Sequence, residues 1–317
     1  MKTIYLSHPL DHSSLLVEPT VFALGYFDGV HKGHKHVISQ AVTYARENEM
    51  KSAVMTFHPH PKEVLQKLAE PMHFLTPLPD KLAAIAELGV DKTYVVEFNQ
   101  SFADLLPQQF VDQYLITLGA KHVVAGFDFT YGKWGRGTMD TLSEHSRESF
   151  TLSAVPKVEK EGIKVSSTAL RALLNEGKVE KVADLLGHPY QVEGTVVDGE
   201  KRGRSIGFPT ANVMLDKRYV IPKTGVYVVS VRIGDEQLYG MCNVGYKPTF
   251  HEKRPDAPNI EVHLLEFDKQ IYGKNIFVTW LQRLRDEKRF NGIDELIAQL
   301  QIDKQRTETY ARNNPIE

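Results

Sequence analysis

The chain has 317 residues, of which 42% are hydrophobic and 25% charged, and it carries a formal net charge of −2. That length suits two domains, and the composition is that of a globular protein with a core, not a disordered or fibrous chain. The near-neutral balance excludes broad attraction to nucleic acid or anionic lipid, and a single cysteine, Cys242, excludes an internal disulfide framework or a zinc site built on several cysteines.

Met1 to Leu10 lacks the basic-then-apolar pattern of a signal peptide, and no apolar run is long enough to cross a bilayer. The expectation is a cytoplasmic protein with neither membrane nor nucleic acid as partner. The sequence leaves its oligomeric state open.

In the first half, strand and helix signals alternate. Val21–Phe27 is an apolar run closed by turn residues, and the helix after it sets Val37, Ile38, Ala41, Tyr44 and Ala45 on one stripe. A strand at Ala53–Phe57, a helix around Lys81–Leu88, a strand at Thr93–Phe98, a helix near Gln108–Leu118 and a strand at His122–Phe127 follow. Strands separated by single helices predict a parallel sheet covered on both faces, a Rossmann-like α/β domain. Ligands of such sheets sit outside the carboxyl ends of the strands.

After Gly187 the pattern changes. Val192–Val197, Val226–Ile233, Leu238–Val244, Ile260–Phe267 and Asn275–Leu281 are strand-like, with Gly and Pro clusters between them, and only Ile293–Tyr310 has helical spacing. These features predict an antiparallel β-barrel with a terminal helix. Gly187, His188 and Pro189 end a helix there, which gives domains of 1–186 and 187–317.

The segment Gly25-Tyr-Phe-Asp-Gly-Val-His-Lys-Gly-His34 compresses strand end, turn and helix start into ten residues. Gly25, Gly29 and Gly33 allow backbone to approach a ligand closely. His31 and His34, three apart, lie beside the free N–H groups and positive dipole end of the helix, a site for phosphate with two added donors. A metal is the weaker alternative, because no carboxylate or cysteine falls at a matching offset nearby. Asp128, after a later strand, is either a ligand group or a turn former. His58 and His60 stand at a strand end between Pro59 and Pro61, where they either serve a site or shape a loop.

Gly199-Glu-Lys-Arg-Gly-Arg-Ser-Ile-Gly-Phe-Pro-Thr-Ala-Asn212 is rich in Gly and basic residues, as a phosphate-covering loop would be, but it lacks the Gly-Lys-Ser/Thr of a Walker A loop. In Asn259-Ile-Glu-Val-His-Leu-Leu-Glu-Phe267, period-two alternation puts Ile260, Val262 and Leu264 on one face and Glu261, His263 and Leu265 on the other. That pair of polar residues lines a pocket or faces water. Glu266 falls opposite Glu261.

The histidine motif, with Phe57-His-Pro-His-Pro61, Ala125-Gly-Phe-Asp-Phe-Thr-Tyr-Gly132 and Val165-Ser-Ser-Thr-Ala-Leu-Arg171 in order behind it, resembles the amino-terminal domain of bacterial bifunctional riboflavin kinase/FAD synthetases. Gly-Phe-Pro-Thr-Ala-Asn and Asn243-Val-Gly-Tyr-Lys-Pro-Thr-Phe250 resemble the kinase segments of the same family. The resemblance implies phosphorylation of riboflavin by ATP to give FMN, then adenylylation of FMN by ATP to give FAD and pyrophosphate.

It further implies that His31 and His34 contact ATP phosphates, with Gly25, Phe27, Asp28, Gly29 and Gly33 around them and Ser166, Ser167, Thr168 and Arg171 closing the site. Ser166 or Ser167 caps the helix that follows. Asp128 and His58 belong to flavin binding. In the kinase half Gly203 and Ser205 belong to ATP binding, Thr210 and Asn212 to Mg2+, and Glu261 is the base; Arg285 and Phe290 either contact flavin or form part of a solvated charge run. At Lys247 the family commonly has Arg, so no substrate contact is assigned there. Two alternatives are a nucleotidylyltransferase for another phosphate ester with an accessory barrel, and a flavin-binding regulator without turnover. The kinase motif and Glu261 speak against the first, the charge balance against the second.

Overall fold

The computed structural model describes residues 1–11, 17–200, 202–246 and 258–316. Lys201 and the segment 247–257 lie outside the described residues, and with them Lys247 and the end of the second kinase motif. The chain forms two compact units, Met1–Ser167 and Thr168–Glu317.

The first unit is built on strands β1 (Lys2–Leu6), β2 (Thr20–Leu24), β3 (Lys51–His58), β4 (Lys92–Glu97) and β5 (Ala120–Gly126). A hairpin of β6 (Thr130–Tyr131) and β7 (Gly137–Thr138) follows, then β8 (Thr151–Val155) and a second hairpin, β9 (Glu159–Lys160) with β10 (Ile163–Lys164). The main sheet is parallel throughout, in the order β1-β4-β3-β2-β5-β8. Its helices are α1 (Lys32–Glu47), α2 (Pro61–Leu65), α3 (Leu78–Glu87), α4 (Gln100–Ala103), α5 (Pro107–Phe110) and α6 (Met139–Ser146). The helix expected at Gln108–Leu118 is the short α5 running into a wider π-helical segment, Val111–Ile116.

All five residues of β2 are buried, and their alternation feeds two cores. Phe22 and Leu24 pack with Met55, Tyr94 and Tyr114 on one face. Val21 and Ala23 pack with Val37, Ile38 and Ala41 of α1 on the other. A strand buried on both faces needs the continuous apolar run that Val21–Leu24 supplies. From β2 the sheet grows one way through β3 and β4 and the other way through β5, so its switch point lies at the carboxyl ends of β2 and β5. The chain leaves those ends as Gly25–His31 and as Phe127–Asp128.

The second unit begins along α7 (Ser167–Glu176) and continues through α8 (Val179–Leu186) to a closed barrel. The barrel strands are β11 (Tyr190–Val197), β12 (Ala211–Met214), β13 (Gly225–Ile233), β14 (Glu236–Gly245), β15 (Asn259–Leu264) and β16 (Asn275–Arg285). They close antiparallel in the order β11-β12-β15-β14-β13-β16. A four-residue helix α9 (Arg202–Ser205) precedes β12, and α10 (Ile293–Asn313) ends the chain. Closure leaves the barrel no unpaired edge. Among the described residues no helix is long and apolar enough to cross a membrane.

The Rossmann-like sheet, the antiparallel barrel and the terminal helix follow the expectation. The strand expected over Val21–Phe27 stops at Leu24, because Phe27 takes a left-handed φ of 58° that a strand cannot hold. Strands β1, β8 and β12, of five, five and four residues, are not among the strands expected from the sequence; each is too short for its apolar residues to set a clear period.

Candidate functional site

Helix α1 starts at Lys32 with His31 as its N-cap. Nδ1 of His31 accepts the backbone N–H of His34 at 3.2 Å. In a neutral ring that acceptor role leaves the hydrogen on Nε2, so His31 presents a donor beside the helix start. The His31 and His34 rings stack with centroids 3.5 Å apart and planes 17° apart, and Phe27 meets His34 edge-on at 5.2 Å. Nδ1 of His34 is enclosed and has no hydrogen-bond partner, an orphaned polar atom such as a ligand oxygen would satisfy.

Burial sets the charge of both rings. It pulls His31 down to about 4, against the upward pull of its own carbonyl and of Asp28 and Asp128. Burial also holds His34 well below the usual histidine range, reinforced by His31 and by Lys81. Both rings are neutral at pH 7 and can meet an anion as hydrogen-bonding groups. No cluster of three or more His, Cys, Asp or Glu able to hold a metal occurs among the described residues.

The neighbouring glycines have separate tasks. A Cβ on Gly25 would meet the Phe27 ring at 2.8 Å, and one on Gly33 would meet Cε1 of His31 at 3.2 Å. Gly29 holds a φ of 90°. Asp28 is buried, and its carboxylate accepts the backbone N–H groups of Leu75 at 3.3 Å and Thr76 at 3.0 Å. The Ser167 hydroxyl donates to the Asp28 carbonyl at 2.8 Å, which ties the Ser-Ser-Thr segment to the histidine turn. Ser166 lies immediately before α7, while Thr168 and Arg171 lie on α7 among residues of the second unit.

Asp128 follows β5 and pairs with Lys164 at 2.7 Å, close enough to His31 to act on its charge. His58 is the exposed last residue of β3. His60, two residues on, caps α2 and sets its ring against Tyr26 at 4.2 Å. Lys81, taken from the sequence only as the start of a helix, is buried beneath the same turn. Its signal, a lysine on an apolar helix face, is too common to have marked it.

In the barrel, register aligns Asn212 of β12, Glu261 of β15 and Asn243 of β14 side by side, so their side chains share a face. Asn259 donates to Oε1 of Glu261 at 2.6 Å and lies 3.5 Å from Oδ1 of Asn212. A cavity of about 330 Å3 takes Glu261 and His263 from β15, with Gly203, Thr210, Arg285 and Phe290 also in its wall. A second cavity of about 270 Å3 takes Val262 and Leu264 from the same strand, with Arg204, Thr210 and Lys269. Strand alternation thus divides two cavities, and Thr210 lines both.

Glu266 is removed from this site by a turn, not by alternation: β15 stops at Leu264, and Glu266 is exposed with a φ of 52°. A Cβ on Gly199 would lie 2.0 Å from Nδ2 of Asn212, and one on Gly203 2.2 Å from the Phe208 carbonyl. These glycines make room for a buried amide and for a close backbone approach. Ser205 is the exposed last residue of α9.

Arg285 reaches the cavity wall with its donors engaged. Nε and one terminal nitrogen bind the buried carboxylate of Asp303 on α10 at 2.7–3.1 Å, and the other nitrogen donates to the Asp286 carbonyl at 3.0 Å. Arg285 therefore fastens α10, whose Leu296 and Leu300 complete the wall beside Phe290.

Residues 14–169 match the family model described as FAD synthetase, and residues 186–311 match that described as riboflavin kinase. A protein of Bacillus subtilis named bifunctional riboflavin kinase/FMN adenylyltransferase is 49% identical over 99% of both chains. One of the same name from Listeria monocytogenes is 46% identical over 98% of both. A solved structure titled as a macrolide-efflux protein from Streptococcus pneumoniae is 35% identical, with a TM-score of 0.86 over 97% of this chain and 99% of that one.

Two outcomes are expected from this geometry. Asp303→Ala leaves the Arg285 cation without its buried partner, a change that typically costs ~3–5 kcal/mol; the thermal unfolding temperature should fall. The first unit should also lose stability as pH falls from about 6.5 toward 4. Over that window the unfolded chain protonates histidines that the fold holds neutral, so protons favour unfolding. Urea titrations at pH 7 and pH 5, on wild type and His31→Ala, check this; the variant should show the smaller difference.

Proposed function

Since the chain belongs to the family of bifunctional riboflavin kinase/FMN adenylyltransferases and makes FMN from riboflavin and FAD from FMN, we propose how its own residues divide the two ATP-dependent steps. Adenylyl transfer takes place at the start of α1. An FMN phosphate oxygen attacks the α-phosphorus of ATP, the bond to the bridging oxygen breaks, and pyrophosphate leaves with the growing negative charge. His31 and His34 meet that charge as neutral donors in a water-poor setting, where aligned donors and dipoles act most strongly. The orphaned Nδ1 of His34 carries this reading. Asp128, paired with Lys164, is assigned to the flavin.

Phosphorylation takes place in the barrel. Riboflavin occupies the larger cavity against Phe208, Met241 and Phe290, and ATP the smaller one against Arg204 and Lys269. Thr210 stands where the two ligands meet. Glu261, oriented by Asn259, accepts the proton of the ribityl 5′-hydroxyl as its oxygen attacks the γ-phosphorus and ADP departs. Such a base orients the hydroxyl and takes the proton late, for an effect of ~10²–10⁴-fold.

Thr210 and Asn212 offer hard oxygens suited to magnesium, and the space that Gly199 leaves for the Asn212 amide supports a built position. Magnesium, when bound, neutralises charge on the transferring phosphate. The functional division at 186/187 rests on the composition change and on the kinase match, which begins at residue 186. A cytoplasmic setting fits an enzyme that draws on ATP for both steps.

Supplied with riboflavin, ATP and magnesium, the protein should yield FMN and then FAD on chromatography. Glu261→Ala should lose FMN formation by at least a hundredfold while still making FAD from added FMN. His31→Ala should do the reverse. Loss of both products in either variant would overturn the division of labour.

A further inference from the structure

Lys81 lies on α3 with only 2% of its surface exposed. Its Nζ donates to the Tyr26 carbonyl at 2.9 Å and to Oγ1 of Thr56 at 3.3 Å, and it lies 4.0 Å from the centre of the Tyr26 ring. Thr56 itself donates to the same carbonyl at 2.9 Å. The Tyr26 carbonyl is thus held by two donors, one of them a cation, from β3 and α3.

The backbone immediately after Tyr26 is strained. Phe27 has a φ of 58° and Val30, a β-branched residue, a φ of 38°. Left-handed conformations at such residues are strained and persist only where the surroundings over-determine them. The surroundings here act in both directions. Asp28 extends from the turn to the N–H groups of Leu75 and Thr76, on the segment leading into α3. Lys81 extends from α3 back to the turn. Asp28 also supports the Lys81 charge: burial brings the lysine down to about 8, and Asp28 pulls the other way.

We propose that Lys81, with Asp28 and Thr56, latches the Tyr26–Val30 turn in the shape that stacks His31 on His34, which makes Lys81 a positioning residue for adenylyl transfer. The path of the effect is short. Phe27 contacts the His34 ring, and the turn delivers His31 to its N-cap position. Loss of one of two donors at Tyr26 lets Phe27 relax toward ordinary φ, and the imidazole pair loses the alignment that makes its donors effective. Misplacement of that size in a site that works by position reduces turnover more than binding.

This rests on His31 and His34 serving adenylyl transfer, so His31→Ala is measured in parallel. In the full-length chain, Lys81→Met should lower kcat for FAD formation from FMN at least tenfold. The KM for FMN should stay within twofold, and riboflavin phosphorylation by the same polypeptide should be unchanged. Thr56→Val, which removes the second donor and an acceptor of Lys81 without removing charge, should lower the same kcat severalfold. A kcat within twofold of wild type in folded Lys81→Met overturns the latch, as does an equal loss in both activities. If Lys81→Met does not fold, an unchanged kcat in Thr56→Val overturns it. Retained FAD formation in His31→Ala would instead sink the site on which the latch rests.

Discussion

A strand buried on both faces must hand the chain to a helix within seven residues, and the adenylyl-transfer half depends on how that is done. The run Val21–Leu24 can offer no polar side chain to a ligand, since each of its residues belongs to a core. Chemistry has to begin at Gly25. Between there and His31 the backbone passes through positive φ at Phe27, Gly29 and Val30. That bend sets a histidine at the N-cap, where its ring both satisfies a helix N–H and presents a donor. The same confinement strips water from the rings and keeps them neutral. Position and protonation state therefore have one cause.

The barrel half sets two cavities side by side. A single strand does this through its pleat. Glu261 and His263 face one cavity, Val262 and Leu264 the other, and Thr210 reaches both. The outer wall of the larger cavity is borne by α10, whose own amphipathic pattern gives only a shallow apolar face. A buried ion pair, Arg285 with Asp303, helps to fasten the helix, as does the contact of Tyr310 with Tyr239. Such ion pairs add little net stability over apolar packing, but they fix an element in one register.

Residue by residue, legibility follows the range of the interaction concerned. His31, His34 and the glycines between were readable because strand end, turn and helix cap are all local. Alternation put Glu261 and His263 on one face and left open whether that face lines a pocket or meets water; in the barrel both line a cavity. Glu266 is kept apart by something alternation does not express, a turn at 265–266 that ends the strand before it reaches that residue. The roles of His60 and Lys81 were not legible, because what marks them is contact with Tyr26, separated from them by 34 and 55 positions. Arg285 could be picked out by residue type, but its bond to Asp303 could not, for the partner lies 18 positions on, within α10.

By itself the sequence determined the kinds of element, the alternation of strand and helix in the first half, the change to a barrel after Gly187, and the motifs that carry the chemistry. Periodicity and turn chemistry act over a few residues, so they are written in consecutive letters. Only the tertiary structure decided that Asp28 braces the turn through Leu75 and Thr76, that Lys81 lies beneath it, and that one strand divides two cavities. Those depend on burial and on which distant segments are brought together. A charge or an amide acquires its role from what desolvates it and what it meets, and neither is present until the chain has folded.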